Sequence, residues 1–349
     1  MRLLVHKPGM LTTVQDLGRW GHQSRGVSVS GAMDPFSLRL GNVLLGNDPG
    51  AAALELTLMG PELEVQEEGA LLLAGADLKM HLDGSPAEPW RIYRVSPGCR
   101  ITFKGLGSGG CRGNLCLAGG VEVPPVLGSR STHVRARLGG FQGRALAEGD
   151  RIVSGTPDPL WARGEGLSCS EDLRPRWDLQ APLEVLEGPQ MEAFTPQGLE
   201  TFFGNEYTIS SEADRMGYRF EGPAVEHAAG ADSVSDAIPL GAIQVPGHGQ
   251  PIAMLADRQT TGGYTKIGVL SSWSVAQLAQ RLPGQKVRFR RTPLEEALGT
   301  LRHFEDRIVR AAALRAAWRS GRSGTPTEGP RHFLLRLGGR EYDVQVFPG

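Results

Sequence analysis

Cysteine, aromatic residues and net charge are all scarce in this chain of 349 residues. The four cysteines are Cys99, Cys111, Cys116 and Cys169; none forms a CxxC pair and no histidine cluster accompanies them. This argues against a zinc site, and we predict reduced, mostly buried thiols and no bound metal. The formal net charge of −1 offers no basic surface for nucleic acid. The apolar runs are far shorter than a membrane span, and the first residues are too polar for a signal peptide. We therefore expect a cytoplasmic protein with neither a membrane nor a nucleic acid as its partner.

Glycine and proline, by contrast, are abundant. They number 48 and 24, well above the roughly 12% of an average chain, and they lie between short apolar or alternating runs along the whole sequence. Turns at such regular spacing indicate antiparallel sheets or barrels. The fold class predicted is therefore mainly β with a few helices. The clearest runs are Leu71–Ala74, Arg91–Val95, Arg100–Phe103, Leu115–Ala118, Leu183–Leu186, Ile252–Ala256 and Lys286–Arg290.

Three helices carry recognisable start signals. The first has Asp34 as its N-cap and Pro35 at its first position, and it stops at Gly46. A second is predicted to start at Ser274, with Gln277 completing a capping box. A third is predicted to start at Thr292, with Pro293 at the first position.

Residues about 156–182 are rich in proline, glycine and charge, so we place a domain boundary there. The predicted units are an N-terminal β domain at 1–160, a C-terminal β domain with a terminal helix at 183–319, and a tail at 320–349. In the tail, the composition of 320–330 predicts a flexible linker. The runs Phe333–Leu337 and Tyr342–Phe347 then predict a hairpin.

A dense polar loop follows the apolar strand near residue 252. Asp257 could act as a general base or hold Mg²⁺, while Arg258 and Lys266 could hold an anion. The glycines would let the backbone approach a ligand closely. The alternative is a plain hairpin in which Asp257 bonds to Arg258 or to turn amides. The other candidate substrate-binding residues of this loop are Gln259, Thr260, Thr261, Gly262, Gly263 and Tyr264.

Two further polar clusters could contribute to the same site. One contains Ser211 and Arg215; its alternative interpretation is a turn with a surface pair between Asp214 and Arg215. The other contains Asp16 and Arg19, candidate substrate-binding residues in the N-terminal half. Glu55 lies in an apolar run and needs a partner, for which Arg19 is the candidate.

Several common catalytic signatures are missing from the sequence. It contains no Walker A loop, no nucleophile elbow, no H-E-x-x-H motif and no Met-Lys-Met tripeptide for biotin attachment.

Seven segments nevertheless match one family in order. The sequence resembles the family known as allophanate hydrolase subunit 2, the biotin-dependent carboxyltransferases, the antagonist of the sporulation kinase inhibitor, or the C-type subunit of 5-oxoprolinase. The resemblance covers about residues 3–300 and implies two cyclophilin-like β-barrel domains. One departure is Ser235-Asp236-Ala237, where the family usually has Ser-Glu-Gly. The matching segments are Leu11–Arg19, Ser30–Asp34, Gly119–Gly120, Gly128–Thr132, Ser211–Gly217, Gly241–Pro246 and Ala256–Lys266.

The resemblance implies three alternative functions. The first is a subunit of an ATP-dependent 5-oxoprolinase that needs ATP and Mg²⁺ and acts on a small-molecule substrate. Its partners would be an A-type subunit and a kinase-inhibitor-like B-type subunit. The second is a carboxyltransferase subunit for urea or an amide, with biotin carried by another protein. The third is a non-catalytic regulator that binds the B-type partner. Cationic clamps and a base would serve either chemistry, so the loop residues alone do not choose between them.

Overall fold

The computed structural model describes residues 1–320 and the backbone of two further strands near the C-terminus. The fold is mainly β, as predicted, with four α-helices among the described residues. None of these helices is both long and apolar enough to cross a membrane. The helices are α1 Pro35–Leu45, α2 Pro196–Gly204, α3 Ser272–Ala279 and α4 Leu294–Arg319, with short 3-10 turns at Gln23–Arg25, Trp161–Gly164 and Met191–Ala193.

The strands form three large sheets and two separate pairs. In chain order they are β1 Arg2–Lys7, β2 Leu11–Gln15, β3 Ala53–Thr57, β4 Glu62–Glu67, β5 Gly69–Gly75, β6 Met80–Leu82, β7 Ser85–Pro86, β8 Tyr93–Val95, β9 Arg100–Phe103, β10 Arg112–Leu117, β11 Arg151–Val153, β12 Leu183–Glu187, β13 Tyr207–Ile209, β14 Gly217–Glu221, β15 Asp232–Ala237, β16 Ala242–Gln244, β17 Ile252–Met254, β18 Thr261–Tyr264, β19 Lys266–Leu270, β20 Lys286–Val287, β21 Phe289–Arg291, β22 Arg331–Leu337 and β23 Arg340–Val346.

The N-terminal half packs two sheets face to face. Their strand orders are β11-β1-β4-β9-β6-β7 and β2-β3-β10-β5-β8. Strands β1 and β4 alternate buried and more exposed residues, because only one of their faces meets the core. Strand β5 is buried on both faces: Leu71 and Leu73 join the core between the sheets, while Leu72 and Ala74 join a second core beneath α1. This double burial explains its continuous apolar run.

Helix α1 has the predicted ends. The Asp34 carboxylate accepts a hydrogen bond from the Ser37 backbone N–H, at 3.0 Å, and Pro35 occupies the first turn. The helix stops at Gly46, whose φ of +81° suits glycine. The helix lies so close to the sheet at Gly41 that an added Cβ would come within 2.9 Å of Ala74 and Cys116. Glycine is therefore required there by packing.

The C-terminal half is built on one eight-stranded sheet with the order β20-β13-β14-β17-β16-β19-β12-β21. Its two edge strands, β20 and β21, are separated in sequence by Arg288 alone. A chain that passes from one edge to the other in one residue forces the sheet to curl into a nearly closed barrel. The pair β12–β21 is parallel, and the other pairs in this sheet are antiparallel.

Helix α4 returns to the N-terminal half and covers α1. The rings of Phe36 and Phe304 meet edge to face with centroids 4.5 Å apart, and the Arg39 guanidinium binds the Glu305 carboxylate at 2.6 Å. One core cluster contains residues from both sides of the predicted unit boundaries at 160 and 183. The boundaries themselves stay a prediction.

Two predicted helix starts are wrong. Helix α3 is capped by Ser271, whose hydroxyl accepts from the Ser274 N–H at 3.1 Å. Ser274 lies inside the helix, where its hydroxyl accepts from the Glu184 N–H at 2.8 Å. Helix α4 begins at Leu294, with Pro293 rather than Thr292 in the N-cap position and no side-chain cap. Serine and threonine both favour the N-cap position. Sequence pattern alone therefore does not distinguish Ser271 from Ser274 as the cap of α3, and it wrongly favours Thr292 as the cap of α4.

The tail hairpin is confirmed as the antiparallel pair β22–β23. The predicted linker falls outside the described residues, apart from Ser320 at the end of α4. The predicted thiols are confirmed: all four cysteines are free, Cys99 is partly buried and the other three are buried.

Candidate functional site

A cleft of about 720 Å³ opens on the barrel of the C-terminal half. Its walls carry both signs of charge beside amide, imidazole and phenol groups, and Arg135 reaches it from the N-terminal half. The Arg135 guanidinium donates to the Asp214 carboxylate at 3.2 Å, so the two halves meet at its rim. The lining residues are Arg135, Glu212, Asp214, Met216, Gly217, Arg219, Gln244, Pro246, Gly247, His248, Ile252, Met254, Gln259 and Tyr264.

Behind this cleft lies a buried ion cluster centred on Arg215. Its guanidinium binds both oxygens of Asp257, with Nε to Oδ2 at 2.9 Å and Nη2 to Oδ1 at 3.1 Å. Its Nη1 donates to the Glu55 carboxylate at 2.5 Å, and Nη2 also donates to the Gly31 carbonyl at 2.7 Å. The Glu55 carboxylate accepts in addition from the Met33 N–H at 2.7 Å. One arginine thus ties the turn that follows β17 to two segments of the N-terminal half.

The charge of Arg215 is held firmly. Burial opposes the charged form, but Asp257 and Glu55 outweigh it and raise the pKa of the guanidinium above its usual value.

These contacts show that two interpretations of the sequence are wrong. Glu55 pairs with Arg215 and not with Arg19, and Arg215 lies in the interior and not in a surface pair with Asp214. Asp214 instead accepts from the Met216 N–H at 2.7 Å, which closes the turn before β14.

Arg258 and Lys266 are also buried. The Arg258 guanidinium donates to the carbonyls of Ile238 and Leu255, at 2.9 and 3.2 Å, and burial lowers its pKa to about 10. Its own carbonyl accepts from the Ser28 hydroxyl at 2.7 Å. Lys266 is 1% exposed, and its Nζ lies 3.6 Å from the Asp236 carboxylate. The catalytic roles of Asp257, Arg258 and Lys266 stay predictions.

The other residues of the polar loop divide into two groups. Gln259 and Tyr264 line the cleft. Thr260 accepts from the Ile238 N–H at 2.9 Å through its carbonyl, while Thr261, Gly262 and Gly263 form β18 with Tyr264. Ser211 lies exposed in the turn after β13 and does not line the cleft.

Asp16 and Arg19 support a loop of the N-terminal half. The Asp16 carboxylate accepts from the Ser129 and Ser131 hydroxyls, at 2.7 and 2.5 Å, and from the N–H groups of Gly18 and Arg130, at 2.8 and 2.5 Å. Arg19 donates to the Ser131 carbonyl, and burial lowers its pKa despite the opposing charges of Asp16 and Asp257. The structure brings both residues near the ion cluster but not into the cleft wall, and their substrate-binding role stays a prediction.

Sequence reasoning missed His133 and Arg135. His133 accepts from the Ala136 N–H through Nδ1, at 2.9 Å, which leaves its Nε2 facing the Asp257 carbonyl at 3.4 Å. His133 follows the Gly128–Thr132 motif directly and Arg135 comes two residues later, and that proximity was the available signal.

The comparisons with known proteins agree with this architecture. The family model described as carboxyltransferase domain, subdomain A and B, matches residues 25–291, which is more than half of the chain. The chain belongs to this family. The resemblance seen in the motifs is thereby confirmed.

Two relatives are named as the C-type subunit of a 5-oxoprolinase. The one from Escherichia coli (strain K12) is 36% identical over 297 residues, covering 85% of this chain and 93% of that protein. The one from Haemophilus influenzae is 37% identical over 285 residues, covering 82% and 89%. The chain also resembles the structure of the Kluyveromyces lactis urea carboxylase, with a TM-score of 0.83 and 28% identity, over 89% of this chain. It spans 29% of that much longer protein.

Proposed function

We propose that this chain is the C-type subunit of a cytoplasmic, ATP-dependent 5-oxoprolinase that opens 5-oxo-L-proline to L-glutamate. It would act together with an A-type subunit and a kinase-inhibitor-like B-type subunit. The observation that carries the proposal is the match to nearly the whole length of two C-type subunits of 5-oxoprolinase, 93% and 89% of them. Both are more identical to this chain than the urea carboxylase is, at 36% and 37% against 28%.

The chemistry of the cleft supports a small, polar, anionic substrate. Arg135 and Arg219 form exposed ion pairs with Asp214 and Glu212, at 3.2 and 3.0 Å, and a carboxylate or a phosphoryl group could take the place of either acid. Gln259, Tyr264 and His248 offer polar groups for a lactam. Breaking a lactam C–N bond needs stabilisation of charge that develops on the carbonyl oxygen, which fixed donors supply best. The turn that carries Gln259 is held in place through Asp257 by Arg215.

ATP and Mg²⁺ fit this chain less well than the substrate does. Within residues 1–320, no three His, Cys, Asp or Glu side chains are grouped so as to hold a metal ion. The sequence also contains no Walker A loop. We therefore assign ATP and Mg²⁺ to the assembled complex and derive no step through them.

The decisive experiment is co-purification with the proposed A-type and B-type subunits, followed by an assay of ADP and glutamate. ADP release should depend on 5-oxoproline and should fall when Arg219 is replaced by glutamine. Arg302→Gln is a matched control, because Arg302 forms an exposed ion pair with Glu295 on α4, 3.8 Å apart. An intact complex without 5-oxoproline-dependent ADP release would overturn the proposal.

A carboxyltransferase is the second candidate, favoured by the TM-score of 0.83 against a urea carboxylase. A carboxyl group would pass from carboxybiotin on another protein to the nitrogen of urea or an amide. Loss of carboxybiotin on addition of urea, with no response to 5-oxoproline, would favour this candidate over the first.

A further inference from the structure

Lys266 presents a buried charge that the described residues do not satisfy. Its side chain is 1% exposed, and its Nζ has no hydrogen-bond partner among residues 1–320. The nearest carboxylate oxygen, Oδ2 of Asp236, is 3.6 Å away, beyond hydrogen-bond distance. A buried ammonium without hydrogen bonds is costly, so its retention calls for an anion that reaches it in some state of the protein.

Lys266 does not line the cleft itself, but it lies beside a residue that does. Lys266 pairs with Gln244 in the register of β19 and β16, directly after a register shift between Ile243 and Gln244. Residues paired across two strands project from the same face of a sheet. Gln244 lines the cleft. The backbone N–H of Lys266 donates to the Gln190 side chain at 2.9 Å, which fixes the strand at this point.

Asp236 belongs to a strand that is held loosely. Among the strands that the structure describes, β15 pairs only with β18, and the register shifts between Asp232 and Asp236. We call this two-stranded unit the ribbon. Five of the six residues of β15 are exposed, including Val234 at 90%. The Asp236 carboxylate is itself 55% exposed and accepts from the Ala237 N–H at 2.6 Å. A carboxylate so placed can leave Lys266 without losing a core contact.

The ribbon lies directly against Gln244 because residue 262 is glycine. A Cβ at Gly262 would come within 2.7 Å of Ile238 and 3.0 Å of the Gln244 amide nitrogen. The ribbon therefore separates the Lys266 ammonium from the outside while Gln244, on the same face, remains in the cleft wall.

We propose that Lys266 is the docking point for the carboxylate of a small carboxylated substrate, and that Asp236 occupies this point in the free protein. The substrate carboxylate replaces Asp236 and supplies the hydrogen bonds that Lys266 lacks. This inference rests on the proposed function, because 5-oxoproline is a lactam with one carboxylate. The ring would then extend towards Gln244 and Tyr264.

The test compares two ligands that differ only in the carboxylate, 5-oxo-L-proline and 2-pyrrolidinone, by calorimetric titration of the complex with its A-type and B-type subunits. The complex with the unchanged chain should bind 5-oxoproline at least about tenfold more tightly than 2-pyrrolidinone, and Lys266→Met should remove most of that difference in affinity. Asp236→Asn should tighten 5-oxoproline binding by about two- to fivefold and leave 2-pyrrolidinone unchanged. Asp232→Asn, the same substitution on the same exposed strand, is the control and should change neither.

The outcomes separate the two proposals. If 5-oxoproline binding depends on Lys266 but ADP release does not depend on 5-oxoproline, the 5-oxoprolinase function is ruled out and the carboxylate site is supported. If turnover is normal and the preference for 5-oxoproline over 2-pyrrolidinone survives Lys266→Met, the carboxylate site alone is ruled out. If Lys266→Met does not fold, the exposed Asp236→Asn decides, and weaker or unchanged 5-oxoproline binding overturns the site. A parent complex that binds no 5-oxoproline overturns both.

Discussion

Arg215 binds Asp257 through two parallel hydrogen bonds, at 2.9 and 3.1 Å, deep between the two halves of the chain. Because Glu55 occupies another edge of the same guanidinium, two carboxylates from opposite halves share one cation. The turn that carries the cleft residue Gln259 is thus fixed by an interaction that no cleft ligand needs to touch.

Replacing Arg215 by methionine should therefore destabilise the whole protein. Glu55 and Asp257 would remain buried without their cation, at a cost of about 3–5 kcal/mol in the free energy of unfolding. Urea denaturation measures this cost. Arg302→Met, at an exposed ion pair, should change stability by less than about 1 kcal/mol. A similar small change in both variants would show that the cluster does not hold the halves together.

Asp34 should make stability depend on pH. Burial raises its pKa to about 6 from 3.8, against the opposing hydrogen bonds from Ser37 and Gln280. Since the folded state holds this proton more tightly, the contribution of Asp34 is favourable below pH 3.8 and is lost as pH rises through 6. The parent should lose about 2 kcal/mol of unfolding free energy between pH 4.5 and 7 from this group.

The Asp34→Asn variant isolates that contribution. Asparagine still caps α1 but cannot titrate, so the difference in stability between parent and variant should change with pH by that amount. Urea denaturation at both pH values supplies the measurement, with Asp232→Asn as an exposed control. A pH-independent difference would mean that Asp34 is ionised throughout this range.

The thiols should be unreactive in the folded protein. Burial raises the pKa of Cys99 to about 11 and of Cys169 to about 12, and it raises those of Cys111 and Cys116 as well. Little thiolate is then present at pH 7.5 to attack a disulfide reagent. Titration with such a reagent should detect few thiols before denaturation and all four in urea. Rapid reaction of several thiols without urea would contradict the burial.

Arg135 should affect substrate affinity more than folding. Its ion pair with Asp214 is exposed, at 68% and 46%, so Arg135→Gln should alter stability by less than about 1 kcal/mol. In the proposed complex it should raise KM for 5-oxoproline by about threefold, because the cleft rim loses a cation that attracts the anionic substrate while Lys266 binds its carboxylate. Arg130→Gln is a suitable control, since Arg130 lies on the same loop but pairs with Glu122, at 2.9 Å. Equal effects of the two substitutions would show that the loop, and not the charge at the cleft, is responsible.

Local patterns predicted the local structure well. Asp34, Pro35 and Gly46 mark both ends of α1 because capping depends on residues within one turn of each other. Ser271 and Ser274 could not be told apart, since both can cap and only the contact between Ser274 and Glu184 decides which one is buried.

Local sequence patterns could not predict which charged residues pair with each other in the site. Glu55 and Arg215 are separated by 160 positions, and nothing near either residue specifies the other. The prediction that the turns near 214 and 258 lie together agrees with the contact between Arg215 and Asp257. Arg215 and Asp257, however, form an ion pair in the interior. The cationic residues that line the cleft are Arg135 and Arg219.

The return of α4 to α1 has a consequence for biosynthesis. The outer side of α1 receives part of its cover from α4, where Phe304 packs on Phe36 and Glu305 binds Arg39. A ribosome must translate the long stretch between these helices before that cover exists, so the nascent first half emerges with an apolar strip in water. Chaperone holdases would find their binding site on that strip, and stalled or truncated translation products would aggregate through it.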